Sequence, residues 1–143
     1  MKQGITAVAL GFTLGCSSTG PNTDPTKLNG TYQATTFTVQ IQGSGRRDVL
    51  AAGGSITLTI NPGQVTAGRL IIPVAAGLTT TPVDDPLTGR YVTLGASLIR
   101  YESEPPGVYI DGLVFTVDPP ELRAFLSLTG AQAGLMSVIL RKQ

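Results

Sequence analysis

Chemistry in this 143-residue chain must be done with few tools, because it has no histidine, no tryptophan and a single cysteine, Cys16. Without histidine there is no serine-histidine-carboxylate triad and no cysteine-histidine pair, so nucleophilic catalysis has no base to activate it. The chain also lacks a Gly-x-Ser-x-Gly elbow, a phosphate-cradling glycine loop with its lysine, and any Cys/His metal spacing. Carboxylates remain. General acid-base work needs two of them, and the candidates are the neighbours Asp84 and Asp85, the alternating Glu102 and Glu104, and Asp111 between Ile110 and Gly112. A hard cation wants six or more oxygens, more than either pair supplies. We therefore expect no catalytic residue, no metal and no cofactor, and we read the protein as something other than an enzyme. Arg46-Arg47 is either an anion contact or an exposed turn, and an exposed turn is the expectation.

The bulk numbers describe one domain. An apolar fraction of 41% is enough for a single core, while 13% charged residues leaves the surface to Thr, Ser, Gly and Gln. The formal net charge is +1, and one positive charge is Lys2, in a segment read below as a removable leader. A neutral mature domain has no electrostatic footprint for nucleic acid or for an anionic membrane surface. Eighteen glycines and ten prolines, spread along the chain, punctuate many short elements.

Residues 1–15 carry a basic residue at position 2, an apolar run from Ile5 to Leu14 and small residues before Cys16, the pattern of a secretory signal peptide. The run is too short for a stable transmembrane helix. Thr13-Leu14-Gly15-Cys16 resembles the lipobox of bacterial lipoproteins, with Thr13 where the common form has leucine. That resemblance implies diacylglycerol on Cys16 and a membrane anchor. The alternative is an ordinary leader that leaves an unpaired exported thiol. Ser17, rather than aspartate, follows the cysteine, which favours the outer membrane facing the periplasm in a two-membrane host. Residues 16–27 are nearly devoid of apolar side chains and are read as a flexible tether to a domain spanning 28–143.

Within that domain the spacing is that of strands. Ile56, Leu58 and Ile60 alternate with Ser55, Thr57 and Thr59, and Asn61-Pro62-Gly63 supplies a tight reversal into a run from Val65 to Ile72. Tyr32 and Ala34 keep one parity and Phe37, Val39 and Ile41 the other, which predicts a β-bulge near Thr35-Thr36. Short strands are expected at Arg90 to Leu94 and Ser97 to Tyr101, a strand bent at Gly112 over Val108 to Val117, and strands through Leu122 to Leu128 and Met136 to Leu140. Gly43 to Gly54 and Val74 to Gly89 are read as connections, the second as the first candidate for a lid or contact surface. No helical period of useful length occurs, so the fold class is all-β, with about eight antiparallel strands in meander order. Closure hides the edges, and an up-and-down barrel is favoured over an open sandwich.

The opening Leu28-Asn29-Gly30-Thr31-Tyr32, the segment Asp48 to Ile60 leading to Gly68-Arg69-Leu70, Phe115-Thr116-Val117 before a turn, and the ending Val138 to Gln143 resemble, in that order, the bacterial lipocalin-like lipoproteins of the calycin group. The resemblance covers Leu28 to Gln143. It implies a lipocalin-like barrel whose first strand carries Gly-x-Trp, with a basic residue of the last strand over the indole; here Tyr32 stands at the tryptophan position and Arg141 is the expected partner.

Two functions follow. In one, the lumen, lined by Ile56, Leu58, Ile60, Leu98, Leu126, Val138 and Leu140, takes a lipid or another small hydrophobic molecule. In the other, the barrel is filled by its own side chains and serves the cell envelope as a structural or interaction module. An enclosed apolar cavity of roughly 300 Å³ or more marks the first, and interior packing at normal density the second.

Overall fold

The computed structural model describes residues 23–128 and 134–143. A four-residue helix, α1 (Pro25–Leu28), precedes ten strands: β1 (Gly30–Ile41), β2 (Gly45–Asp48), β3 (Ser55–Ile60), β4 (Val65–Ile72), β5 (Val83–Pro86), β6 (Gly89–Thr93), β7 (Leu98–Ser103), β8 (Val114–Asp118), β9 (Glu121–Leu128) and β10 (Gly134–Lys142). Each pairing is antiparallel. The order runs β1, β3, β4, β6, β7, β8, β9, β10, and β10 returns to pair with β1 over Tyr32↔Lys142 to Ile41↔Gly134. That ring is a closed, eight-stranded, up-and-down barrel, compatible with a lipocalin-like fold. β2 and β5 are short additions to the outer ends of β1 and β4.

Period-two alternation sets the wall. β3 buries Ile56, Leu58 and Ile60 and leaves its hydroxyl-bearing residues half-buried, and the Asn61 amide donates to the Val65 carbonyl at 2.8 Å to close the expected hairpin. The expected bulge is present: the β1–β10 register shifts between Ala34 and Thr36, so Phe37 and Val39 rejoin the inner face. Asp118 and Glu121 pair across Pro119-Pro120 as a tight hairpin.

Three expectations are corrected. Val108 to Leu113 is a turn-rich loop, not the start of a strand. Ser103 and Gly107 donate their amides to the Asp111 carboxylate at 2.8 and 3.4 Å and curl the chain, although Ile110 and Leu113 are still buried. Arg46-Arg47 lies on β2, exposed throughout. Val74 to Gly89 holds a 3-10 turn (Val74–Ala76) and β5, and it turns Ala76, Leu78 and Leu87 inward.

The chain closes the barrel's lower end, where β1 begins and β10 finishes, from inside the predicted tether. Asp24 caps α1 through the Thr26 amide, Thr23 bonds to the Gly95 and Ala96 carbonyls, and Leu28 is 1% exposed. The Tyr32 hydroxyl donates to the Leu28 carbonyl at 2.9 Å. Among the described residues, contacts with the domain are thus made from Thr23 onward, within the segment read as a tether.

Burial raises the phenol pKa of all four tyrosines, that of Tyr101 to about 12. In the unfolded chain these groups ionise near pH 10, so their stabilising effect is whole below that pH and is lost as pH climbs from about 10 towards 12. Alkaline titration is expected to show tyrosinate absorbance and loss of β-sheet circular dichroism in one transition. Ionisation of all four phenols with the fold intact would contradict it.

Candidate functional site

At the closed end the basic residue over the Tyr32 ring is Lys142, not Arg141. Its Nζ lies 5.9 Å from the ring centroid and donates to the Lys27 carbonyl at 3.0 Å. The reason is parity: Val138 and Leu140 face inward, so the next inward position is 142, while Arg141 pairs with Gln33 on the exposed face. Gly30 belongs to the same contact. A Cβ there would sit 2.5 Å from Lys142 Cε, so the glycine of the Gly-x-Tyr pattern leaves room for the lysine stem. Lys142→Ala is expected to cost about 1 kcal/mol and Arg141→Ala less than about 0.5 kcal/mol, read by urea denaturation; equal costs would contradict the assignment.

The lumen holds five of the seven residues expected to line it. Ile56, Leu58, Ile60, Val138 and Leu140 are each no more than 2% exposed. Leu98 points outward, at 38% exposure. The run from Leu98 to Ser103 offers two inward sets, and choosing Leu98 would bury Arg100 and Glu102 with it, whereas the observed set is Ile99, Tyr101 and Ser103. Leu126 has the inward parity of Leu122 and Ala124, but it stands beyond the last residue that β8 covers and is 39% exposed. Sequence reasoning left out Leu70, Ile72, Tyr91, Ile99 and Leu122, all at most 1% exposed. Alternation between Leu70 and Ile72 was the signal for two of them.

These residues pack closely. A void large enough for water would expose the side chains around it, yet Phe37, Ile56, Leu70, Phe115, Leu122 and Val138 are all 0% exposed. From above, Val49, Ala76, Leu78 and Ile110 add to the same cluster.

The surface at the upper end is more promising. Asp85, Pro86 and Thr88, where the chain passes from β5 to β6, face Pro105 to Val108 of the Asp111-pinned loop across a cleft of about 220 Å³. Its two walls are tied together. The Thr88 hydroxyl donates to the Glu104 carbonyl at 2.9 Å, and the Thr88 carbonyl accepts from the Glu104 amide at 2.9 Å and the Tyr101 hydroxyl at 3.1 Å. Asp85 accepts from the Tyr109 amide at 3.4 Å. The cleft is below the usual small-molecule range of roughly 300 to 1,000 Å³. Proline rings and Val108 make it apolar, and Asp85 gives it one carboxylate. Its size and chemistry suit one side chain of a partner. Half of it comes from the Val74 to Gly89 segment expected as a contact surface.

Three of the other candidate carboxylates are engaged, and Glu104 is exposed. Asp84 accepts two bonds from Arg69, each 2.7 Å, and that pairing holds its carboxyl below the ordinary value. Arg100, then Arg90, do the same for Glu102, and the Ser103 amide does so for Asp111. Asp84 and Glu102 thus serve as counter-charges to arginines, and Asp111 as an acceptor of backbone amides, each held in its ionised form. Among the described residues no group of three or more His, Cys, Asp or Glu is placed to hold a metal. Cys16 and the leader lie outside the described residues. No family model, curated protein or solved structure matches the chain.

Proposed function

We propose that this chain is a lipocalin-like envelope lipoprotein, tethered through acylated Cys16, whose barrel is a filled scaffold that meets a partner protein at its upper end. One observation carries this reading over that of a lumenal carrier: side chains from six of the eight ring strands, Phe37, Ile56, Leu70, Phe115, Leu122 and Val138, have no exposed surface inside. A carrier would need to displace this packing, and each large apolar side chain withdrawn from it forfeits about 2 to 5 kcal/mol. The cleft between Pro86 and Val108 supplies the contact, with Asp85 suited to a basic or amide-tipped side chain.

Native mass spectrometry of the protein purified from its host tests the proposal, together with thermal midpoints across a panel of fatty acids and phospholipids. Empty protein and an unmoved midpoint are expected. A stoichiometric apolar molecule that also raises the midpoint would overturn the filled-scaffold reading.

A further inference from the structure

We infer that the upper half of β9 is a docking edge for a second copy of this chain. β8 covers only the start of β9, through Thr116↔Arg123, Val117↔Leu122 and Asp118↔Glu121, whereas β10 pairs with β9 along its whole length. From Ala124 to Leu128, one side of the strand has no pairing among the described residues. Which groups face that side follows from the ladder. The Pro120 carbonyl accepts from the Lys142 amide, in register with the β9–β10 pairs, so the even-numbered residues bond to β10 and Phe125 and Ser127 turn their N–H and C=O groups the other way.

The side chains there are apolar. Phe125 is 64% exposed and Leu126 39%, and Leu135 and Val114 are exposed on the strands to either side. The contrast with the other free edges is the main argument. β2 carries Arg46, Arg47 and Asp48, and β5 carries Asp84, Asp85 and Pro86, the charges and proline that keep strand edges from pairing. Ala124 to Leu128 contains neither charge nor proline. An edge left without these guards where two others have them is suited to pairing.

A second copy fits because the segment is self-complementary about a two-fold axis at Leu126. Antiparallel addition sets Phe125 of each copy opposite Ser127 of the other, so that these edge-facing residues exchange N–H···O=C bonds. The two Leu126 side chains then meet on the axis, and no like charges are opposed. The pairing uses β9 alone and does not depend on the upper cleft or on acylation.

Sedimentation equilibrium of the full chain carrying Cys16→Ser tests it. A reversible dimer is expected. Ser127→Pro removes only an N–H that faces away from β10, and Phe125→Lys places a guard on the edge; each is expected to weaken the dimer about tenfold or more, with the thermal midpoint of the monomer little changed by Phe125→Lys. Leu126→Cys in the same background is expected to cross-link two copies on mild oxidation, since directly opposed positions lie within disulfide reach, and Phe125→Cys is not. A monomer at every concentration, a dimer indifferent to both edge variants, or cross-linking through Phe125→Cys in place of Leu126→Cys would overturn the inference.

Discussion

Phe115→Ala is expected to destabilise the barrel by about 4 kcal/mol and to create a binding site for a small apolar molecule that the parent lacks on the filled-scaffold reading. Phe115 is wholly buried and lies opposite Ile99 on the inner face of β8. Removing the ring deletes its transfer free energy and leaves a void that a closed wall resists collapsing around, because the Phe115 backbone is held in the β7–β8 ladder and the ring of strands is shut. An apolar void of this kind stays dry and takes up benzene-sized molecules. Benzene is therefore expected to raise the thermal midpoint of the variant and leave that of the parent unmoved. A parent that responds as strongly would mean that space already exists inside.

Gly134→Ala is expected to cost about 3 kcal/mol although it adds a single methyl group. Gly134 pairs with Ile41 where β10 begins, and a Cβ there would stand 1.8 Å from the Gln40 carbonyl oxygen. That atom is backbone and cannot rotate away. Relief requires β10 to lift from β1, so the damage falls on the pairing that closes the ring. Chemical denaturation gives the cost, and amide exchange is expected to quicken first over 38–41 and 134–138. An unchanged midpoint would show that these strands do not approach so closely.

Sequence reasoning reached the closed ring because alternation was unambiguous where polar and apolar residues strictly took turns, as in Ser55 to Ile60. The parity change between Ala34 and Phe37 located the bulge for the same reason. It failed where apolarity had another cause. Val108, Ile110 and Leu113 resembled a strand, but the Asp111 carboxylate draws in two amides and Gly112 takes a φ of 75°, so these side chains reach the core from a loop. Charged Arg46-Arg47 resembled a loop because an edge strand has no buried face to require apolar residues. At the closed end the basic partner of Tyr32 was assigned one residue early, against the parity of Leu140.

The candidate site was legible only in half. Asp85 and Pro86 lay within the segment expected as a contact surface, but Pro105 to Val108 reach them through hydrogen bonds between Thr88 and Glu104 that no local pattern encodes. The exposed half of β9 was hidden by its own regularity. Leu122, Ala124, Leu126 and Leu128 alternate without interruption, and nothing in that run marks where β8 departs.

A crystal structure of the protein purified from its host, with the crystal held under xenon pressure, is the most direct test of a barrel filled by its own side chains. No density for xenon or for a co-purified molecule is expected among Leu58, Phe115 and Val138. A xenon peak or continuous apolar density there would contradict the account.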